Sequence, residues 1–404
     1  MDQSIDIDVV VIGAGPAGSA AAMSARAQGA SVAIIDKARF PRSKLCGGLI
    51  TGRCAQHLHD VFGLDVDCDL FEARDDFEFF MDGAKLARMR DVPRAYLTMR
   101  FDLDAVLFDL ALGHGAQDFS GRRVEDLDLD RRRLRLSDGT TLRFGVLIGA
   151  DGVRSRVAEA LFGQSFDPTK IGFALEIEDK TLLSGPQATI RVDFAAAAWG
   201  YGWSFPKKAS TTIGVGGLQV ENPAMKARLS AYLDMLGTGQ DAKIKGHFLP
   251  FGGYRNRPGR GAVLLAGDAA GFVDPITGEG IGYAVQSGAM AGVAAAQAVA
   301  TGTPDGAFAR YLAATRPIRT ALRCARLLRP VIFARPMAPF FASTFRASKT
   351  LKRDYMRLLA GQTEYPQIVA RAFLRVPRAA IRFLWRKIRR PKGADRHGSQ
   401  ISGG

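Results

Sequence analysis

Apolar positions along the chain fall into two patterns. Dense runs read as strands buried on both faces, as in a parallel sheet. They are Ile7-Asp8-Val9-Val10-Val11-Ile12, Val32-Ala33-Ile34-Ile35, Val146-Leu147-Ile148 and Ala262-Val263-Leu264-Leu265-Ala266. An Ala-rich segment after the first run predicts a helix. Elsewhere the pattern alternates: Lys170 to Glu178 and Ala188 to Phe194 are β-rich, and Tyr201, Trp203 and Phe205 put three aromatics on one strand face. The predicted class is α/β (α+β overall), a doubly wound parallel sheet interleaved with a mainly antiparallel one. The first layer should draw on residues 1–75, 98–165 and 255–300, the second on 76–97 and 166–254. A basic helical region over 301–392 and a flexible tail over 393–404 should follow.

The first strand runs directly into Gly13-Ala14-Gly15-Pro16-Ala17-Gly18, and the second ends in Asp36-Lys37. This is the strand, helix and acid context of a dinucleotide site. Gly13 serves the tight turn, Gly15 the close approach of a pyrophosphate, and Gly18 the packing of helix on strand. The helix N-terminus then favours the phosphates, and Asp36 the ribose hydroxyls. No second unit of this kind is present, since Gly214-Val215-Gly216-Gly217 has neither the spacing nor a following helix. Reducing equivalents are therefore expected from an external donor, either NAD(P)H bound transiently or a protein such as a ferredoxin.

Charge changes the picture at the C-terminal end. The formal net charge is +15, yet Arg310 to Arg396 holds 22 lysines and arginines against three acids, and the remainder 33 against 37. Arg371, Arg375, Arg378, Arg382, Arg386 and Arg389 share a helical face, opposite Phe373, Ile381, Leu384, Trp385 and Ile388. Such a helix suits an anionic membrane surface. The segment from Phe308 to Phe345, apolar, arginine-studded and interrupted by Pro317, Pro330, Pro336 and Pro339, either covers a substrate tunnel or lies against lipid. No nucleic-acid module accompanies the charge, so no nucleic-acid partner is expected. The four cysteines lack CxxC spacing, the N-terminus lacks a leader pattern, and no stretch reaches eighteen apolar residues. A cytoplasmic protein, peripheral on the inner face of the membrane, is the expectation.

Three further stretches resemble flavoproteins related to p-hydroxybenzoate hydroxylase. Gly149-Ala150-Asp151-Gly152 is similar to their "DG" motif, and Gly267-Asp268 to the "GD" motif that meets the ribityl chain. Asp274-Pro275-Ile276-Thr277-Gly278-Glu279-Gly280-Ile281 resembles the turn and helix start that face the flavin pyrimidine. Within that group, Arg42-Ser43-Lys44-Leu45-Cys46-Gly47-Gly48 and Tyr201-Gly202-Trp203-Ser204-Phe205-Pro206-Lys207 resemble the geranylgeranyl reductase family, although Ala198 stands where its archaeal members have proline. Arg100 matches the family's flavin-contacting arginine.

The resemblance implies FAD, held by Gly13, Gly15, Ala17, Gly18, Asp36, Lys37, Arg42, Cys46, Gly47, Gly48, Arg100, Asp151, Asp268, Gly278, Gly280 and Ile281. It implies a substrate pocket of Tyr201, Trp203, Phe205 and Pro206, and reduction of isoprenoid carbon–carbon double bonds on a prenyl diphosphate or isoprenoid-bearing lipid. A trisubstituted alkene is not an electrophile, so hydride from flavin N5 needs an accompanying proton, assigned to Cys46 or Tyr201, while Trp203 lines the alkene pocket. Two readings stay open beside it: a flavin monooxygenase or halogenase on the same scaffold, and an electron carrier to membrane quinone.

Overall fold

The computed structural model describes residues 4–180, 188–238, 242–251 and 253–371. Its helices in chain order are α1 (Pro16–Ala27), α2 (Gly52–Phe62), α3 (Arg100–Gly113), α4 (Arg156–Phe162), α5 (Met225–Leu236), α6 (Ile281–Ala300), α7 (Ala307–Ala314), α8 (Arg316–Phe333), α9 (Ala338–Ala347) and α10 (Lys349–Leu359). The strand Ser4–Ile12 pairs in parallel with Val32–Asp36 on one side and Thr141–Gly149 on the other. Gln117–Ser120 and Val263–Leu265 extend this sheet in the same sense, and three short antiparallel strands complete it. Val9, Val10 and Val11 are fully buried, as a dense apolar run between two parallel neighbours requires.

Small residues let α1 and α6 pack at very short range on this sheet. A Cβ on Gly288 would lie 2.1 Å from the Ala17 carbonyl oxygen, and one on Gly292 2.2 Å from that of Ala21. The alanine-rich composition of both helices is thus a packing requirement, and Ala17 serves the helix contact itself.

The second sheet runs Lys245–Leu249, Gly172–Asp179, Thr211–Leu218, Tyr201–Pro206, Ile190–Asp193, Phe77–Met81 and Ala84–Met89, with only the pair Ile190–Asp193 and Phe77–Met81 parallel. Gly214 and Gly216 stand directly opposite Trp203 and Tyr201. A Cβ at Gly214 would lie 2.4 Å from the Trp203 ring, so this glycine stretch makes room for an indole. A small third sheet joins Leu49–Ile50, Ala95–Leu97 and Glu72–Arg74, which ties residues 95–97 to strands expected in the other layer.

The C-terminal helices close one face of the second sheet, where Phe333, Phe341 and Phe345 share a buried cluster with Phe79, Phe194, Trp203 and Phe205. Pro317 and Pro339 sit in first turns, where a missing N–H costs nothing. Pro330, expected to interrupt the chain, lies inside α8 close to its end. Arg371 is held inward, 3.6 Å from Asp354 and donating to Thr363 Oγ1 at 3.0 Å. The rest of the arginine stripe, Arg375 to Arg389, lies outside the described residues. None of the described helices is long and apolar enough to cross a membrane.

Candidate active site

The first βα turn is built around close backbone contact. Gly13 adopts φ +100°, and a Cβ there would fall 2.3 Å from the Ala150 carbonyl oxygen. At Gly18 a Cβ would meet the Gly13 carbonyl oxygen at 1.7 Å. Gly15 differs: a Cβ would meet only side-chain ends, Arg42 at 3.4 Å and Arg100 and the Asp104 carboxylate that pairs with both at 4.0 Å. Its open side faces the Arg42–Asp104–Arg100 group, in front of the α1 N-terminus. Asp36 accepts from the Ala14 and Ala38 amides, both at 2.9 Å, and so shapes the turn as well as ending the strand.

A cationic group gathers around this opening. Arg100 is clamped by Asp104 through bonds of 2.5 and 2.7 Å, and Arg42 reaches the same carboxylate at 3.1 Å. Burial alone would lower the Arg100 pKa, but the Asp104 charge and hydrogen bonds outweigh it and hold the guanidinium charged. Lys44 is pushed down by burial, with Arg100 and Arg42 adding to the effect and Asp268 opposing it. Burial, with the charges of Lys44, Arg154, Arg100 and Lys37, brings His247 down to about 4. Asp104 and Asp268 leave this cluster under-neutralised, an arrangement suited to an anionic phosphate ligand.

Beside it runs the loop of Cys46, Gly47 and Gly48. The Cys46 amide donates to Glu176 Oε1 at 2.9 Å, its Sγ accepts from the Gly48 amide at 3.4 Å, and Arg100 also reaches the sulfur. Gly48 has φ +75°, and a Cβ on it would collide with the Thr98 carbonyl at 2.0 Å. A Cβ on Gly47 would meet the Phe205 ring at 2.9 Å and Trp203 Nε1 at 3.3 Å. The loop therefore lies directly on the aromatic strand, whose Tyr201, Trp203 and Phe205 rings follow one another at 5.9 and 6.4 Å. Pro206 is buried at the strand end, its carbonyl taking a bond from Arg74 at 3.4 Å.

The third wall is the turn before α6. Gly278 takes φ +72°, and Tyr201 Oη donates to the Thr277 carbonyl at 2.6 Å, so the aromatic strand and the turn are bonded to each other. Burial raises the Tyr201 pKa well beyond the physiological range. Gly280 is the N-cap of α6, Ile281 its first buried residue, and a Cβ on Gly280 would lie 3.7 Å from Asp268 Oδ1. Asp151 accepts from the Arg156 amide at 2.7 Å and thereby caps α4, while its Oδ1 is buried without a partner among the described residues.

Two further carboxyls stand here, Glu176 outside every motif and Glu279 inside the α6 turn motif but given no role from the sequence. Glu176, 3% exposed, is raised to about 7 by burial, against the Cys46 amide and Lys207, and its Oε2 has no partner among the described residues. Glu279, between the two glycines of the turn, is also raised to about 7 by burial, although Arg53 and a 2.6 Å bond from Thr51 Oγ1 oppose it. The register of the second sheet sets Glu176 opposite Gly214, itself opposite Trp203, which is the signal that would have linked Glu176 to the aromatic strand.

Residues 8–63 match the family model described as FAD dependent oxidoreductase. The chain is 32% identical over 322 residues to the menaquinone reductase of Mycobacterium tuberculosis, covering 70% of this chain and 75% of that one. It is 29% identical over 320 residues to digeranylgeranylglycerophospholipid reductase 3 of Methanosphaera stadtmanae, covering 73% and 78%. A geranylgeranyl bacteriochlorophyll reductase-like protein of Thermoplasma acidophilum shares the fold at a TM-score of 0.75 and 19% identity, over 91% of this chain and 99% of the other. The site fits FAD: the open side of Gly15, the α1 N-terminus and an under-neutralised cationic cluster suit a pyrophosphate. The chain is an FAD-dependent oxidoreductase and belongs to the geranylgeranyl reductase family.

Proposed function

We propose that this enzyme reduces carbon–carbon double bonds in the isoprenoid chain of a prenyl lipid. One observation carries the reading: the Tyr201, Trp203 and Phe205 rings meet the Cys46-Gly47-Gly48 loop and the α6 turn at a single place. Menaquinone and digeranylgeranylglycerophospholipid, for which two relatives are named, have different head groups and both carry isoprenoid chains. The shared feature is the alkene-bearing tail, which an aromatic strand face suits.

The cofactor would be held by Gly13, Gly15, Asp36, Lys37, Arg42, Arg100, Asp268, Gly278 and Gly280, and it supplies the reducing equivalents. The chain's own residues handle the proton and the charge. Tyr201 donates its hydroxyl hydrogen to Thr277, so it orients the turn and is a poor proton source. Cys46 is the better donor at its Sγ, with Arg100 placed to meet the negative charge left behind. Glu176, on the Cys46 amide, stores the replacement proton near neutral pH. Trp203 and Phe205 offer ring faces to positive charge developing on the substituted carbon, worth about 1–2 kcal/mol when desolvated.

The test is anaerobic. FAD-loaded, chemically reduced protein is mixed with isoprenoid lipids, and products are weighed by mass spectrometry. Stepwise gains of two hydrogens with oxidation of the flavin are expected. Products that appear only after oxygen enters, carrying oxygen or halogen, would replace this reading with a monooxygenase or halogenase.

A further inference from the structure

The helices α8 and α9 present two contrasting faces. Inward, Phe333 and Phe341 are 7% and 5% exposed and join the cluster that contains Trp203 and Phe205. Outward, Leu327 is 70% exposed, Val331 37% and Phe340 59%. Leu327 and Val331 are one helical turn apart, and Arg323 stands one turn before them on the same side. From Arg310 to Arg353 the chain has eleven lysines and arginines and no acid.

We propose that the outer faces of α8 and α9 form a docking surface for an anionic lipid bilayer, with Leu327, Val331 and Phe340 entering the interface and Arg323 and Arg335 meeting headgroup charge. Exposed apolar side chains rimmed by arginine, without any acid in the segment, are complementary to that surface. The same charge argues against other occupants. The chain beyond Arg371 is itself strongly basic and is repelled by this face. A second copy docked about a twofold axis would set arginine against arginine. Because the inner faces of the same helices wall the aromatic cluster, a lipid tail leaving the bilayer here has only the thickness of one helical layer to cross. This last step rests on the proposed prenyl-lipid substrate; the docking surface does not.

The experiment uses full-length, FAD-loaded protein and vesicles free of isoprenoid lipid, which separates it from the question of substrate. Sedimentation with phosphatidylcholine–phosphatidylglycerol vesicles is compared for the wild type, the triple variant L327E/V331E/F340E and R323E/R335E. All five positions are at the surface, and retained FAD absorbance verifies folding. Binding of the triple variant should fall at least about tenfold, that of the arginine variant should fall with it, and both should lose the wild type's sensitivity to salt. Amide exchange over 323–347 should slow when vesicles are added. Undiminished vesicle binding by the triple variant overturns the proposal. So does protection confined to residues beyond 371, which would make the tail the anchor, or a wild-type dimer that the triple variant abolishes.

Discussion

Arg100 and Asp104 stand one helical turn apart on α3, and the carboxylate is wholly buried while serving two arginines. Removing it leaves uncompensated charge beneath the cofactor turn. Asp104→Ala should therefore cost about 3–5 kcal/mol in urea unfolding and release FAD. Cys46→Ala should lower the rate of prenyl reduction without loss of bound FAD, and wild-type turnover would remove the thiol from the scheme. Glu176→Gln should shift the pH–rate profile, because the group that titrates near 7 beside Cys46 is gone. The motif residues could be recognised in the chain because a backbone that must pass another within van der Waals contact leaves glycine as the only choice. Glu176 could not, since a carboxyl becomes unusual only when distant strands and helices bury it, and Glu279 was in view within the turn motif while its burial was not. Asp36 and Asp151 fall between: their positions were legible, but their bonds to backbone amides were not.

At the level of elements, the turn before α6 is the most constrained. Gly278→Ala places a Cβ 2.4 Å from Tyr201 Oη and forces a side chain into the left-handed region. It should destabilise the protein by roughly 1–3 kcal/mol and weaken flavin retention, both read by thermal unfolding monitored at the flavin absorbance. Four parallel strands of the first sheet and the aromatic strand were plain from apolar runs and period-two spacing, whereas Gln117–Ser120, also parallel, has no such run. The three-stranded sheet was not, because strands of two or three residues have too few positions to show a period. Pro330 misled for a related reason: so near the end of α8, the bond it removes is one that fraying would weaken anyway.

For the whole molecule, the buried ionisable groups set opposing pH trends. Glu176 and Glu279 are raised from 4.5 to about 7, so the stability that comes from holding them neutral is complete below 4.5 and lost as pH rises through 7. His247 is lowered from 6.5 to about 4, so its contribution is complete above 6.5 and lost as pH falls through 4. Melting temperatures measured from pH 4 to 9 should show Glu279→Gln gaining on the wild type toward pH 8. The end of the described chain also closes the turn before α6. Arg53 donates to the Leu358 carbonyl and pairs with Glu364, while Tyr365 Oη donates to Asp274. Gly52 and Gly361 let these segments touch, the latter with φ +71°. During synthesis, the first glycine turn leaves the ribosome hundreds of residues before these partners do. Cofactor capture should therefore come late, and chains stalled before Leu358 should emerge colourless and be the ones that cellular proteases clear.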